Sequence, residues 1–250
     1  MENNLNLSEK SKKIQEMFDK ISKRYDLLNR LLSFRQDERW RNALIKNLAV
    51  PNITQPNEAS GGGGGGVLYD VACGTGDVLY HVEQKRQDYS TLIGFDISSG
   101  MLEMAKKRAE TKKSAVVFKQ ASAESLPVQS NSADCVTISF GLRNVDDREK
   151  ALQEFYRVLK PCGRVLILEF FPAQNSVLSF LFQFYFKRIL PILGGLVSDK
   201  AAYQYLPKSV ITMPRVEEFR LTLSKIGFAC IGQKQWLSGA VCLVVGEKKI

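Results

Sequence analysis

One stretch constrains the chain more than any other: Val67-Leu68-Tyr69-Asp70-Val71-Ala72-Cys73-Gly74-Thr75-Gly76-Asp77. An apolar, partly β-branched run ends at a carboxylate, turns through closely spaced glycines and enters Val78 to Val82. This spacing predicts a strand, a tight turn and a helix start. Glycines at such a turn let the backbone approach a ligand with no Cβ in the way, and the helix start offers unpaired N–H groups. The bland alternative is an ordinary glycine turn of an α/β protein.

The ligand is constrained by what the stretch lacks. A dinucleotide cradle requires Gly-x-Gly-x-x-Gly with a pyrophosphate at the helix start. Here Leu79 stands at the third glycine's place, and Asp77 puts negative charge where phosphate would lie. Asp70 and Asp77 suit instead a cofactor carrying an amine and a sulfonium, as S-adenosylmethionine does. Gly74, Thr75 and Gly76 form its expected cradle. About twenty residues on, Thr91-Leu92-Ile93-Gly94-Phe95-Asp96 ends in a carboxylate placed to take both ribose hydroxyls. Met101 follows, where it can lie against an adenine ring, and Ser122 and Ala123 fall in a loop beyond the third strand, near the adenine edge. Ser139, closing the fourth strand, is assigned to the same cofactor. Read alone, Asp96 could instead cap the next helix.

Seven strands are predicted, beginning at Val67, Thr91, Ala115, Ala133, Val165, Gly227 and Ala240. Helical patterns alternate with the first five, among them a basic helix over 103–113 and a helix over 148–159 that buries Ala151, Leu152, Phe155, Val158 and Leu159. Lys160-Pro161-Cys162-Gly163 reads as a turn, and the last two strands form a hairpin. The fold class is α/β: a doubly wound, mostly parallel seven-stranded sheet with an antiparallel C-terminal strand.

In front of the sheet, Ile14, Met17, Phe18, Ile21, Tyr25 and Leu28 recur at helical spacing, predicting one amphipathic helix. The segment Tyr25 to Arg41, where polar and aromatic residues interleave, is placed over the cofactor. Residues 1–50 are thus a helical substrate cap. Residues 51–66, with two prolines and six consecutive glycines, are a flexible linker, and residues 67–250 form the cofactor domain. Within that domain residues 176–210 are an apolar lid, rich in phenylalanine but split by Lys187 and Arg188 into pieces too short to span a bilayer.

The chain has 250 residues, 44% hydrophobic and 24% charged, in keeping with one globular domain plus an accessory segment. Its net charge of +9 admits nucleic acid, an anionic membrane or an acidic substrate as partner. Five scattered cysteines without a Cys-x-x-Cys pair predict a reducing compartment, and His81, the single histidine, excludes a histidine-rich metal site. No metal is expected. The polar first residues lack a signal-peptide core, so a cytoplasmic location is expected.

The chain resembles the class I S-adenosylmethionine-dependent methyltransferases, and within them the UbiE/MenG family, which methylates the ring of demethylmenaquinone and related prenyl quinols. The resemblance is carried by Tyr25-Asp26-x-x-Asn29, Leu32-Ser33 and Trp40, by Asp70 to Asp77 and Gly94-Phe95-Asp96, and by Phe140-Gly141-Leu142-Arg143-Asn144-Val145. Arg157 to Pro161, Glu169 and Tyr203 to Ser209 continue it. Departures include Asp37 where many members have histidine, Ser122 for an Asp or Asn, and Cys162 for a glycine. The resemblance implies a Rossmann-like fold and methyl transfer to a ring carbon of a prenylated quinol, either demethylmenaquinol or a benzoquinol of ubiquinone synthesis. It implies that Arg143 holds developing phenolate charge, that Asn144 orients a ring oxygen, and that Tyr25, Asn29 and Tyr203 bond or stack on the quinol. Asp26 is a possible base through water, or a partner of Arg30. Peripheral attachment to the inner face of the membrane and a homodimer through the apolar segment are also expected.

Two rivals remain. A methyltransferase acting on a nucleic-acid base amine would carry Asn/Asp-Pro-Pro-aromatic after the fourth strand, where this chain has Ser139-Phe140-Gly141-Leu142, so no nucleic-acid partner is expected. A non-catalytic scaffold keeping the nucleoside pocket is the other.

Overall fold

The computed structural model describes residues 7–22, 25–49, 65–172 and 200–249. Gly61 to Gly64 of the glycine run and most of the apolar lid lie outside these residues, as do the side chains of Asn29 and Tyr203.

Seven strands form one sheet: β1 Gly66–Val71, β2 Tyr89–Asp96, β3 Val117–Gln120, β4 Ala133–Ser139, β5 Leu159–Phe170, β6 Phe228–Trp236 and β7 Val241–Lys248. Their order is β3-β2-β1-β4-β5-β7-β6, and β7 runs antiparallel to both its neighbours, β5 and β6. The strand order reverses between β1 and β4, so a crevice opens beyond their carboxyl ends. β1 is buried along its whole length, Asp70 included, as befits a central parallel strand.

The helices are α1 Glu9–Ile21, α2 Tyr25–Leu32, α3 Gln36–Lys46, α4 Asp77–Lys85, α5 Ser99–Lys112, α6 Arg148–Val158, α7 Lys200–Ile211 and α8 Val216–Ile226. α6 and α8 cover one face of the sheet, with Ala151, Leu152, Phe155, Phe219 and Leu223 in a core shared with Val71, Ile138 and Ile167. Four of the five residues expected on the apolar stripe of α6 are buried within it, and Leu159, the fifth, is buried at the start of β5. On the other face Trp40, Leu44, Leu79, Val82, Leu102 and Ala105 of α3, α4 and α5 pack over Leu68, Cys135 and Leu166. Among the described residues, no helix is long and apolar enough to cross a membrane.

Two expectations need correction. The single helix expected from Ile14 to Leu28 is two, α1 and α2, with residues 23–24 outside the described part. Both ends of α1 are fixed by groups far away in sequence, which periodicity does not reveal. The turn expected over 160–163 lies inside β5, where the pairing with β4 is irregular between Ala133 and Cys135 and Cys162 has φ 63°. That left-handed backbone suits glycine and costs an L-residue roughly 1–2 kcal/mol. Cys162→Gly is therefore expected to stabilise the fold by about 1 kcal/mol, read as a higher urea midpoint with an unchanged m-value. A lower midpoint would show that the thiol makes a compensating contact.

Candidate active site

The turn after β1 is built from two directions. Its backbone is tied to β2: the Cys73 N–H donates to the Phe95 carbonyl at 3.0 Å, and the Gly74 N–H donates to Asp96 Oδ2 at 2.8 Å. The other Asp96 oxygen accepts the Ser98 N–H at 2.9 Å. Burial raises the Asp96 carboxyl above its ordinary value, and these N–H groups oppose that shift. Each oxygen keeps a lone pair, the arrangement a ribose diol requires.

The cavity at the switch point is lined by Gly74, Asp96, Met101, Ser122, Ala123 and Ser139 of the expected cofactor residues, and by Tyr25 and Asn144 of the expected quinol residues. Ala72, Ile97, Phe140, Gly141, Val145 and Asp146 also line it. Ser139 Oγ and Asn144 Oδ1 are buried without a hydrogen-bond partner, a costly state unless a ligand supplies one. A Cβ on Gly141 would lie 2.5 Å from Ala72 Cβ, so only glycine lets the β4 end close against the turn. These groups fit an aminoacyl nucleoside such as S-adenosylmethionine: a carboxylate for the ribose, a thioether side chain beside the base position, and unspent polar groups near the reacting end.

Four expected residues sit elsewhere. Asp70 lies inside the sheet, 1% exposed, accepting the Thr137 hydroxyl at 2.6 Å. Burial pushes its carboxyl up to about 7. Thr75 turns away from the cavity, donates to Asp26 at 2.6 Å, and lines a separate basic cavity with Lys107, Arg108 and Lys112. Gly76 has φ 84° and a packing role, because a Cβ there would meet the Phe118 ring at 2.8 Å. Arg143 is 7% exposed and paired with the fully buried Glu169 at 2.7 Å, with its guanidinium over the Phe170 ring. Its backbone N–H also reaches Glu169, at 3.1 Å, so the pair clamps the 3-10 turn Leu142–Asn144 that presents Asn144. Its charge is offset inside the protein, and it does not line the cavity.

Asp77 and Asp26 are likewise committed. Arg108, Arg41 and Arg30 lie 2.5, 3.6 and 3.8 Å from Asp77. Burial alone would raise the Asp77 carboxyl, but Arg41, Arg108 and Arg30 outweigh it and hold it below the usual range. Asp37 pairs with Arg41 at 2.6 Å. Asp26 takes Thr75 and, at 3.6 Å, Arg108, whereas Arg30 lies near Glu38 and Asp77, so the expected Asp26–Arg30 pair is absent. His81 contacts the Asp77 carbonyl and stands outside the cavity.

Residues 1–50 are expected as a cap, and α1 supplies cavity-lining residues that the sequence does not single out. Ser11, Ile14 and Phe18 of α1 line the cavity at one-face helical spacing, and the Phe18 ring meets Tyr25 edge-on at 5.9 Å. The apolar stripe of α1 was visible in the sequence, but which surface it covers was not.

The switch-point crevice, the carboxylate ending β2 and the glycine turn define the class I methyltransferase fold. A solved structure of a possible histamine N-methyltransferase from Thermotoga maritima superposes with a TM-score of 0.65 at 20% identity, covering 94% of this chain and 100% of that one. The profile of the ubiE/COQ5 methyltransferase family matches residues 6–248, and the chain belongs to that family. It is 40% identical over 244 residues to the ubiquinone/menaquinone biosynthesis C-methyltransferase of Geotalea daltonii, covering 97% of this chain and 99% of the relative. It is 38% identical to a demethylmenaquinone methyltransferase of Thermus thermophilus, covering 93% of this chain and 100% of the relative. The enzyme is an S-adenosylmethionine-dependent methyltransferase.

The buried Asp70 gives this site a pH signature. With a carboxyl near 7 in the fold against 3.8 in the unfolded chain, the folded state binds more protons between those values, so this contribution makes stability fall as pH rises through that window. Asp70→Asn keeps an acceptor for Thr137 and is expected to flatten the slope. Its melting temperature should exceed the parent's above about pH 7 and match it near pH 4. A lower value above pH 7 would show that the ionised group stabilises the fold.

Proposed function

We propose that this enzyme transfers the methyl group of S-adenosylmethionine to a ring carbon of a prenylated quinol, most directly demethylmenaquinol. The observation that carries the reading is the pairing, in one cavity, of the Asp96 carboxylate with the unpartnered Ser139 Oγ and Asn144 Oδ1. Membership of a family whose relatives are named for quinone C-methylation supports the substrate class.

Asp96 takes the ribose hydroxyls, Met101 and Ala123 border the base, and Gly74 leaves room for the aminoacyl end. The cofactor supplies an electrophilic methyl on a cationic sulfur. The protein's contribution is position: a ring carbon held in line with that methyl gains up to about 7–11 kcal/mol from orientation alone. Asn144 Oδ1 accepts a hydrogen bond from a quinol hydroxyl and so fixes the ring's rotation, while Phe18 and Tyr25 offer aromatic edges to its plane. Arg143 acts through the turn it clamps with Glu169. Removing it would strand a buried carboxylate at a cost of about 3–5 kcal/mol, so Asn144 is the cleaner probe of acceptor binding.

Asn29 and Tyr203 keep the quinol-contact roles that the resemblance implies. Residues 1–50 serve as the substrate cap and residues 176–210 as an apolar lid that shields the polyprenyl tail, joined to the membrane's inner face by the protein's +9 charge. A homodimer through that segment fits its apolar character.

Radiolabel from S-adenosylmethionine is expected in chemically reduced demethylmenaquinone and not in bulk RNA. Label in RNA, or none anywhere despite cofactor binding, would overturn the reading. Asn144→Ala should lower kcat/KM for the quinol by about 10- to 100-fold, the scale of one or two hydrogen bonds in a desolvated site, with cofactor affinity little changed. Unchanged turnover would remove Asn144 from the acceptor site.

A further inference from the structure

The roof helix α1 is joined to the cavity rim at both ends. Near its C-terminus, Asp19 Oδ1 accepts the Gly100 N–H at 2.8 Å and the Ser98 hydroxyl at 2.5 Å. At its N-terminus, the Ser8 hydroxyl donates to Asp146, Ser11 Oγ lies 3.3 Å from the same carboxylate, and Lys10 pairs with it at 3.0 Å. Between the two joints, Ser11, Ile14 and Phe18 face the cavity.

The Asp19 joint is the one built into the nucleoside loop. Ser98 gives its N–H to Asp96, its hydroxyl hydrogen to Asp19, and its oxygen to the Met101 N–H, which starts α5. The acceptor Asp19 is thereby linked through one residue to the ribose carboxylate and through the next turn to Met101. Contact is close: a Cβ on Gly100 would lie 3.0 Å from Asp19 Oδ1 and 3.1 Å from Asp19 Cα. Gly100 has no positive φ to explain it. The close seat of α1 does.

We infer that Asp19 is a positioning residue for the cofactor: its bonds to Gly100 and Ser98 hold α1 closed over the nucleoside and fix the loop that aims Asp96. Opening this joint, with the sheet unmoved, admits and releases the cofactor. The inference rests on the assignment of the cavity to S-adenosylmethionine made above, and extends it to a residue outside the cavity lining.

The test measures binding and dissociation of S-adenosylhomocysteine by the full chain. Asp19→Ala removes the acceptor, and Gly100→Ala wedges the joint from the other side while improving helix propensity in α5. Each is expected to weaken binding about ten-fold or more through a faster dissociation rate, the scale of a charge-assisted hydrogen bond. The KM for S-adenosylmethionine should rise in step while kcat at saturation changes little. Asp19→Asn, which retains an acceptor, should bind within about three-fold of the parent. Asp19→Asn should also melt like the parent, and a cooperative melt well above the assay temperature in both alanine variants separates loss of the joint from loss of the fold. Parent-like dissociation in both alanine variants, alongside lost binding in Asp96→Ala, would overturn the role of Asp19 alone. Parent-like binding in Asp96→Ala would instead overturn the cavity assignment and the inference with it.

Discussion

The hydrogen bond from the Gly74 N–H to Asp96 joins the ends of β1 and β2 at the point where the sheet's strand order turns, and the site follows from it. It fixes the glycine turn against the next strand, aims the carboxylate across the crevice and sets the start of the loop that leads to Met101. A carboxylate spent on two backbone N–H groups is rigid as well as charged. That suits recognition of a ribose, whose two hydroxyls need acceptors in fixed positions.

Beneath the turn lies a second electrostatic layer. Asp77, Asp37 and Asp26 are matched by Arg30, Arg41 and Arg108 in a network that holds α2, α3, α4 and α5 around the glycine stretch. Its buried part, Asp77 and Asp37 with Arg41, contributes little net stability compared with apolar packing, but breaking one member is costly. Its effect here is geometric: the turn cannot shift without separating charges. The Arg143–Glu169 pair does the same for the turn carrying Asn144 on the opposite lip. Both lips of the crevice are therefore pinned from below.

The sheet was legible in the sequence because its signals are local: apolar runs ending at Asp70, Asp96 and Ser139, separated by helical stripes. Gly74, Asp96, Met101, Ala123 and Ser139 were legible for the same reason, since position at a strand's carboxyl end suffices to place them. Thr75, Asp77 and Arg143 were not. Their partners Asp26, Arg41, Arg108 and Glu169 come from other elements, and a charged residue's sequence neighbourhood does not say whether a distant countercharge has already claimed it. The seat of α1 is hidden on similar grounds: Asp19 looks like a solvated helix residue until α5 is folded beneath it.

The most direct measurement is the crystal structure of the chain with S-adenosylhomocysteine bound. The geometry predicts the ribose hydroxyls on Asp96, the thioether beside Ser139 and Asn144, and α1 closed over the nucleoside with Asp19 still on Gly100. A nucleoside bound outside this crevice, or seated in it with Asp96 facing no hydroxyl, would contradict the assignment of the site.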